Sequence, residues 1–549
     1  MSQTAHASRR RFLETTVFGS TAAALLPRVT TAGVLTSAPL PPQVSSFELD
    51  EFTIPELQQA MKAGKYTSRA IAEQYLARID GIDKQGPAIN SIIELNPEAL
   101  RIADDLDQER KAGHWRGPLH GIPILIKDNI DTADKMMTTA GSLALVGSKP
   151  SIDSTVARKL RAAGAIILGK TNLSEWANIR SSHSTSGWSG RGGLTKNPYA
   201  LDRNACGSSS GSGAAVAANL CTVAIGTETD GSIVCPASAN GVVGIKPTVG
   251  LVSRAGIIPI SHSQDGAGPI ARSLADAALV LGALTGEDPR DSATSAAGAN
   301  ALADYSRFLD PGGLRGARLG VARKYFGFSE NVDALMATAL DAMKRAGASL
   351  IDPADIASFG KFDDSELELF MYELKADLNR YLSQLGPMAR VHSLKEIIDF
   401  NDSNQQSEMP YFGQDLFIKS EAKGPLSEKG YLDALEKNHR LARTEGIDAL
   451  MEEFQLDAIV APTAGPACLT DLLNGDHFTG GSSNAAAVAG YPNINVPAGF
   501  VDGMPVGISF FGRAWTEPKL IKLAYAFEQT VKARKPPKFL PTLSLNSRG

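Results

Sequence analysis

The sequence predicts an α/β fold in which a sheet is covered on both faces by helices. Three observations carry this expectation. Short continuous apolar runs recur at residues 121–127, 165–168, 221–227, 456–462 and 505–511, each with the length and character of a strand buried on both faces. Amphipathic stretches with helix-start signals lie between them, giving the alternation that builds such a fold. Finally, many of the 52 glycines cluster between residues 117 and 270, so backbone geometry is specified there more than side-chain bulk.

In order, Thr53-Ile-Pro-Glu56 reads as a capping box that opens the first helix. Thr67 opens a second, with Ile71, Tyr75, Leu76 and Ile79 on one face. A third covers 98–111, entered through Asn96-Pro97 and ended near Gly113. The strand at 121–127 follows. A helix over 154–163 is stopped by Gly164 and leads into the strand at 165–168. The cluster Cys206-Gly-Ser-Ser-Ser-Gly-Ser-Gly213 precedes a helix over 213–220. The strand at 221–227 then runs into a second small-residue turn, Gly226-Thr-Glu-Thr-Asp-Gly-Ser232. Ser273-Leu-Ala-Asp276 reads as another capping box, for a helix through Leu284. A small polar connector covers 286–299, and amphipathic helix dominates about 300–455, for example at 332–347 and 433–443. The strand at 456–462, a helix at 485–489, the strand at 505–511 and a closing helix over 520–531 restore the α/β pattern.

The first 38 residues read as an export signal. Ser8-Arg-Arg-Arg-Phe-Leu13 precedes a short apolar stretch at 17–26 and a small-residue tail. The paired arginines point to the twin-arginine route, with cleavage near Ala38 and a mature chain in the periplasm. Residues 39–49 then form a linker, and 50–540 form the domain, with the helical segment at about 300–455 inside it. The apolar stretch is too short to span a bilayer. A net charge of -5 gives no basic footprint for nucleic acid or anionic lipid. The four cysteines, Cys206, Cys221, Cys235 and Cys468, lack metal or CxxC spacing and are expected as free thiols. No histidine pair has ligand spacing, so neither a metal nor another cofactor is expected. Gly164-Ala-Ile-Ile-Leu-Gly-Lys-Thr171 matches a phosphate-loop pattern. The residues between its glycines, however, should be the strand itself, which leaves no loop to cradle a phosphate.

Two clusters carry chemistry. Lys127 closes a buried strand, at the sheet end where open α/β folds place ligands. Burial would lower its pKa and make a neutral general base. The plainer alternative is a lysine paired with Asp128. The Ser/Gly cluster at 206–213 is either a packed turn or a flexible loop, and the Ala-rich run after it favours packing. Successive amides in Thr229-Asp-Gly-Ser232 could hold an oxyanion. With no histidine in either cluster, a Ser–Lys arrangement is the fitting serine chemistry.

These residues resemble the amidase signature family. The resemblance rests on Gly121-Ile-Pro-Ile-Leu-Ile-Lys-Asp128, Gly169-Lys-Thr-Asn172, Gly207-Ser-Ser-Ser-Gly-Ser212, Gly226-Thr-Glu-Thr-Asp-Gly-Ser-Ile233, Gly241-Val-Val-Gly-Ile-Lys-Pro247, Gly490-Tyr-Pro492 and Gly503-Met-Pro-Val-Gly507, in order across nearly all of 50–540. It implies the amidase signature fold, a large mixed central sheet between helices. It also implies a Ser–cis-Ser–Lys triad of Ser232 as nucleophile, Ser208 as bridge and Lys127 as base. The peptide bond before Ser208 would be cis, and the backbone amides of Thr229, Asp230, Gly231 and Ser232 would form the oxyanion hole. The two serines stand 24 residues apart, as in the family.

Two departures narrow the branch. Asp230-Gly-Ser232 stands where many members have Gly-Gly-Ser, and Gly207-Ser-Ser-Ser-Gly211 where Gly-Ser-Ser-Gly-Gly is common. Both resemble bacterial peptide amidases, which remove the C-terminal amide of peptides. Asn172-Leu-Ser-Glu-Trp-Ala-Asn178, Ser186-Gly-Trp-Ser189, Val234-Cys-Pro236 and Glu517-Pro-Lys-Leu-Ile521 do the same. The expected substrate is therefore a peptide amide, with an aryl-acylamide or small aliphatic amide as the alternative. A non-catalytic binder on this fold is a further alternative, opposed by the presence of all three triad positions. An exported monomer is expected, which argues against a component of a tRNA-dependent amidotransferase. Trp176, Trp188 and the 370–417 region either line the substrate pocket or support it.

Overall fold

The computed structural model describes Pro42 and residues 44–387 and 389–543. The signal-peptide reading therefore lies outside the described residues. Eleven strands form one sheet. They are β1 (Ile92–Leu95), β2 (Pro123–Lys127), β3 (Ile166–Thr171), β4 (Val223–Glu228), β5 (Val243–Lys246), β6 (Gly266–Ala271), β7 (Arg318–Val321), β8 (Ser349–Ile351), β9 (Ala458–Pro462), β10 (Asn493–Val501) and β11 (Met504–Phe511). Their spatial order is β1-β3-β2-β4-β6-β5-β10-β11-β9-β7-β8. The pairs β3·β2 and β2·β4 are parallel, as are β9·β7 and β7·β8. Every other pair is antiparallel, so the sheet is mixed, as expected.

The capping boxes behave differently. Thr53 accepts from the Glu56 amide at 3.4 Å while Glu56 accepts from the Thr53 amide at 2.8 Å, which closes the box around helix Ile54–Lys62. Ser273 accepts from the Asp276 amide at 3.2 Å, but Asp276 does not return the bond. Its carboxylate instead accepts from the Ile54 amide at 3.0 Å, tying the first helix to helix Leu274–Leu284.

Strands β1, β5, β6 and β10 have no counterpart among the five runs expected as strands. β10 contains Pro497 and is buried on both sides over most of its length, so it shows no alternation. The 300–455 stretch is mainly helical but also adds β7 and β8, of four and three residues, to one edge of the sheet. Runs that short leave no readable period.

The rejected phosphate-loop motif has a plain explanation. Ile166 to Thr171 is all strand, paired with β2 and β1, so Gly169-Lys170-Thr171 cannot wrap a phosphate. Lys170 is spent on the Ile130 carbonyl at 2.6 Å and the Thr138 hydroxyl at 2.9 Å. No helix among the described residues is long and apolar enough to cross a membrane.

Candidate active site

Strands β2 and β4 lie side by side and parallel, so their C-terminal ends deliver Lys127 and the 227–232 turn to one place. Lys127 is fully buried. Its Nζ is hydrogen-bonded to Ser208 Oγ at 2.7 Å, to Thr227 Oγ1 at 2.9 Å and to the Thr227 carbonyl at 3.2 Å. Asn129 Nδ2 donates to the same Thr227 hydroxyl at 3.0 Å. The alternative pairing with Asp128 does not occur. That carboxylate instead serves the Thr139 hydroxyl, the Gly141 amide and Arg191.

Burial is the largest influence on the lysine and drives its pKa from 10.5 to about 7, against the opposing charges of Asp265 and Glu228. Among the described residues no carboxylate bonds to Nζ directly, and its three partners are neutral oxygens. The amine is therefore neutral in a large share of molecules near pH 7.

The Ser/Gly cluster is a packed turn, not a flexible loop. The Gly207–Ser208 peptide bond is cis. The Ser208 carbonyl accepts from the Ser174 amide at 3.0 Å. Ser209 Oγ exchanges bonds with Thr227, donating to its carbonyl at 3.1 Å and accepting from its amide at 3.2 Å. Helix Ser210–Ala217 starts earlier than expected, and Ser212 lies inside it, donating to the Ile225 carbonyl at 3.2 Å. Packing leaves no room for side chains here. A Cβ on Gly211 would meet the Ser91 carbonyl oxygen at 2.2 Å, and one on Gly226 would meet Ser209 Oγ at 2.8 Å.

The turn carrying Ser232 is shaped by Glu228 beneath it. Glu228 Oε2 accepts from the amides of Ile233 at 2.7 Å and Val234 at 3.0 Å, holding the start of helix Val234–Ala239. Gly231 takes φ +78°, a left-handed conformation that favours glycine. The amides of Thr229, Asp230 and Ser232 donate to no group among the described residues, while the Gly231 amide lies at the Glu228 carboxylate. Ser209 N donates to the Ser232 carbonyl at 3.2 Å, which joins the two serine turns. The structure thus brings Lys127, Ser208 and the 229–232 turn together. A hydrogen bond between the Ser208 and Ser232 hydroxyls is not among those formed by the described residues.

A second tie between these turns was not expected. Cys206 and Cys235 form a disulfide, with Cα atoms 6.1 Å apart, which corrects the reading of both as free thiols. Their separation of 29 residues matches no local motif, and only the fold brings them side by side. Cys221 and Cys468 are free.

Sequence reasoning also missed a set of supporting residues. Asp265 accepts from the Thr229 hydroxyl at 2.6 Å and from the amides of Ile260 and Ser261, both at 2.9 Å. Burial pushes its carboxyl up to about 6. Gln264 Nε2 reaches the Thr229 carbonyl at 3.4 Å and Glu366 at 2.8 Å. Asp230 has a buried Oδ1 with no hydrogen-bond partner among the described residues. Burial, reinforced by the Glu228 charge and opposed by Ser483 and Lys246, pushes it up to about 6. Of these only Asp230 carries a sequence signal, as a member of the motif around Ser232.

Beside Asn129, Thr227 and Thr229 opens a cleft of about 1020 Å³. Ile257, Ile258 and Ile260 form part of its wall, and helix Asp363–Ser383 contributes Asp377, Arg380 and Tyr381. The 370–417 region therefore does line the cleft. Trp176 and Trp188 do not, since both are buried and pack edge-on against Phe417 and Phe412 respectively.

His262 and Asp377, which line this cleft, and the buried Glu373 behind them are the one described group close enough to suggest a cation site. The ring nitrogens face different carboxylates, Nδ1 to Asp377 at 2.7 Å and Nε2 to Glu373 at 3.1 Å. The ring thus stands between two carboxylates, with the three groups not converging on one point. Burial lowers its pKa, but Asp377 and Glu373 outweigh that and hold it above the usual histidine value.

Comparison with known proteins agrees with this geometry. The family model described as Amidase matches residues 70–521. A probable amidase of Arabidopsis thaliana is 44% identical over 90% of this chain and 93% of its own. A putative amidase of Schizosaccharomyces pombe is 38% identical over 92% and 89% respectively. Among solved structures, the native peptide amidase from Stenotrophomonas maltophilia superposes with a TM-score of 0.86 at 51% identity, over 90% of this chain and all of that one. A complex of peptide amidase with the competitive inhibitor chymostatin gives 0.86 at 52% identity, over 89% of this chain and 100% of that one.

Proposed function

The chain belongs to the amidase signature family and is a hydrolase of amide C–N bonds, and from that premise we propose that it converts the C-terminal carboxamide of peptides to the free acid and ammonia. The observation that carries the mechanism is the buried Lys127 on Ser208, with neutral oxygens as its other partners. Neutral Lys127 accepts the Ser208 proton as Ser208 accepts that of Ser232. Ser232 Oγ then attacks the carboxamide carbon. The amides of residues 229–232 stabilise the oxyanion, with Thr229, Asp230 and Ser232 the free donors and Gly231 shared with Glu228. The proton returns through Ser208 to the nitrogen, the C–N bond breaks and ammonia leaves. Water repeats the relay on the acyl-enzyme, releasing the acid and restoring Ser232. The relay needs the Ser232 hydroxyl to turn onto Ser208 when substrate is bound, as catalytic hydrogen bonds often tighten only in the complex.

The substrate class rests on two supports. One is the 51% identity to a peptide amidase across nearly the whole chain. The other is the cleft of about 1020 Å³, at the upper end of ordinary ligand sites and far larger than a small aliphatic amide fills. Ammonia release from a panel of C-terminally amidated peptides, against arylamine release from an anilide, tests the choice. Faster turnover of the anilide would reject it. Ser232→Ala should abolish ammonia release with an unchanged unfolding midpoint, and full activity in that variant would remove the nucleophile. The twin-arginine pattern at residues 8–13 supports a periplasmic mature enzyme in this proposal, and cell fractionation tests that.

A further inference from the structure

Three of the four cysteines surround one small cavity that hydrolysis does not use. The Cys206–Cys235 disulfide ties the two serine turns, because Cys206 directly precedes Gly207–Ser208 and Cys235 lies three residues after Ser232. The third cysteine is Cys468, a half-buried free thiol on the loop between β9 and helix Asn484–Ala489. A cavity of about 30 Å³ is lined by Cys206, Cys235 and Cys468 together, with Asp476 and His477 at its side.

The backbone carrying Cys468 is fixed beside that carrying Cys206. Asn204 N donates to the Cys468 carbonyl at 2.9 Å, and Arg203 and Leu469 form an antiparallel bridge. Asp476 fastens the same loop, accepting from the Ser186 amide at 3.1 Å and from Asn204 Nδ2 at 2.8 Å. Cys221, by contrast, is fully buried in the main core.

We propose that Cys206, Cys235 and Cys468 form a thiol–disulfide exchange site that can move the covalent tether off the turn carrying the nucleophile. In the exchange, the Cys468 thiol gives up its proton and the thiolate attacks Cys206 Sγ. A Cys206–Cys468 bond forms, the Cys206–Cys235 bond breaks, and the Cys235 sulfur leaves as a thiolate that takes up a proton. One disulfide is lost and one gained, so no oxidant or reductant is consumed. Burial raises the Cys468 thiol above its ordinary value, which keeps the exchange slow in the resting protein. After exchange, no covalent bond joins the two turns, and they are held by hydrogen bonds such as those from Ser209 N to the Ser232 carbonyl and between Ser209 Oγ and Thr227. Misplacement of reacting groups by about 1 Å costs on the order of 100-fold in rate.

The test uses the full-length oxidised protein in glutathione buffers of graded reduced-to-oxidised ratio, quenched with acid, alkylated and digested without reduction. Mass spectrometry should find a peptide pair linked through Cys206 and Cys468 with Cys235 alkylated. Ammonia release from a peptide amide should fall at least about ten-fold in the exchanged fraction. Cys468→Ser should retain the resting rate and the unfolding midpoint yet never yield the linked pair. Recovery of Cys206 only with Cys235, or only reduced, at every ratio overturns the exchange site. Formation of the pair with an unchanged rate overturns its control of catalysis. The activity arm rests on the amidase reading above, and failure of that reading would show as no ammonia from the oxidised protein. The cross-link arm is decided independently of it.

Discussion

The acid limb of the pH–rate profile tests the Lys127 base most directly. Lowering a lysine from 10.5 to about 7 corresponds to about 5 kcal/mol of preference for the neutral amine, at roughly 1.4 kcal/mol per pH unit. At pH 7 about half the molecules then hold a neutral base, against about one in three thousand for an unperturbed lysine. kcat/KM for ammonia release should fall ten-fold per pH unit below about 7, and so by about 100-fold at pH 5. The informative perturbation is Asp265→Asn. Burial lowers the lysine, and the Asp265 charge is the larger of the two that oppose it. Removing that charge should move the limb to lower pH by about one unit, the low end of what a neighbouring charge gives. Asparagine has one acceptor oxygen and keeps either the Thr229 contact on Oδ1 or the two amide contacts on Oδ2, so the reading is the position of the limb, not the absolute rate. A limb near pH 10, or one that Asp265→Asn leaves in place, refutes this base.

Three more expectations follow from the same geometry. Lys127→Met should be inactive yet more stable at pH 7 by about 1–2 kcal/mol, the buried charge costing more than the lost hydrogen bonds contribute. A depressed lysine pKa means that the unfolded chain binds the proton more tightly between pH 7 and 10.5, so the gain should shrink as pH rises through that window and reverse to a loss before its upper end, where only the lost hydrogen bonds remain, as denaturant titration would show. Gly231→Val forces a branched side chain onto φ +78° with Ser483 Oγ 3.0 Å from its Cβ; kcat should fall about 100-fold or more with little change in KM. His262 has a raised pKa, so its contribution is fully present below the unfolded value near 6.5 and is lost as pH rises through the folded one. The melting difference between wild type and His262→Gln should therefore be largest near pH 6 and close at alkaline pH.

The sequence made legible what short-range physics controls. Five of the eleven strands and the helix caps were readable because period and capping chemistry are local, and Lys127, Ser208 and the 229–232 turn because dense Gly and Ser mark a backbone that must approach another closely. Strand β10 escaped because a strand buried on both faces and containing Pro497 imitates a loop. The Cys206–Cys235 bond escaped because only the meeting of two turns creates it. Asp265, Gln264 and Tyr381 escaped for the same reason, since each reaches the site from an element distant in sequence.

What the sequence could least show is why Lys127 is neutral at all. Two carboxylates, Glu228 and Asp265, act on a fully buried amine, and either could have captured it. A carboxylate bonded to Nζ would hold the lysine protonated near its ordinary value. The fold prevents this by committing both groups elsewhere. Glu228 is occupied by the amides of Ile233 and Val234, and Asp265 by the Thr229 hydroxyl and two more amides. The same bonds that shape the turn around Ser232 therefore keep the opposing charges off the base. Burial then outweighs attraction and sets the lysine near neutrality, where it can both accept and return a proton. Asp230 sits on the other side of this balance. Pushed up to about 6, it carries its charge through most of the working range of the lysine, beside the amides that would receive an oxyanion. Its Oδ1 lacks a partner among the described residues, and its charge is eased by the Ser483 side chain and, at a distance, by Lys246, itself lowered to about 8 by burial. The neutral forms of Asp230 and Lys127 thus belong to opposite sides of pH 7, and the proposed relay calls for the carboxylate charged and the amine neutral.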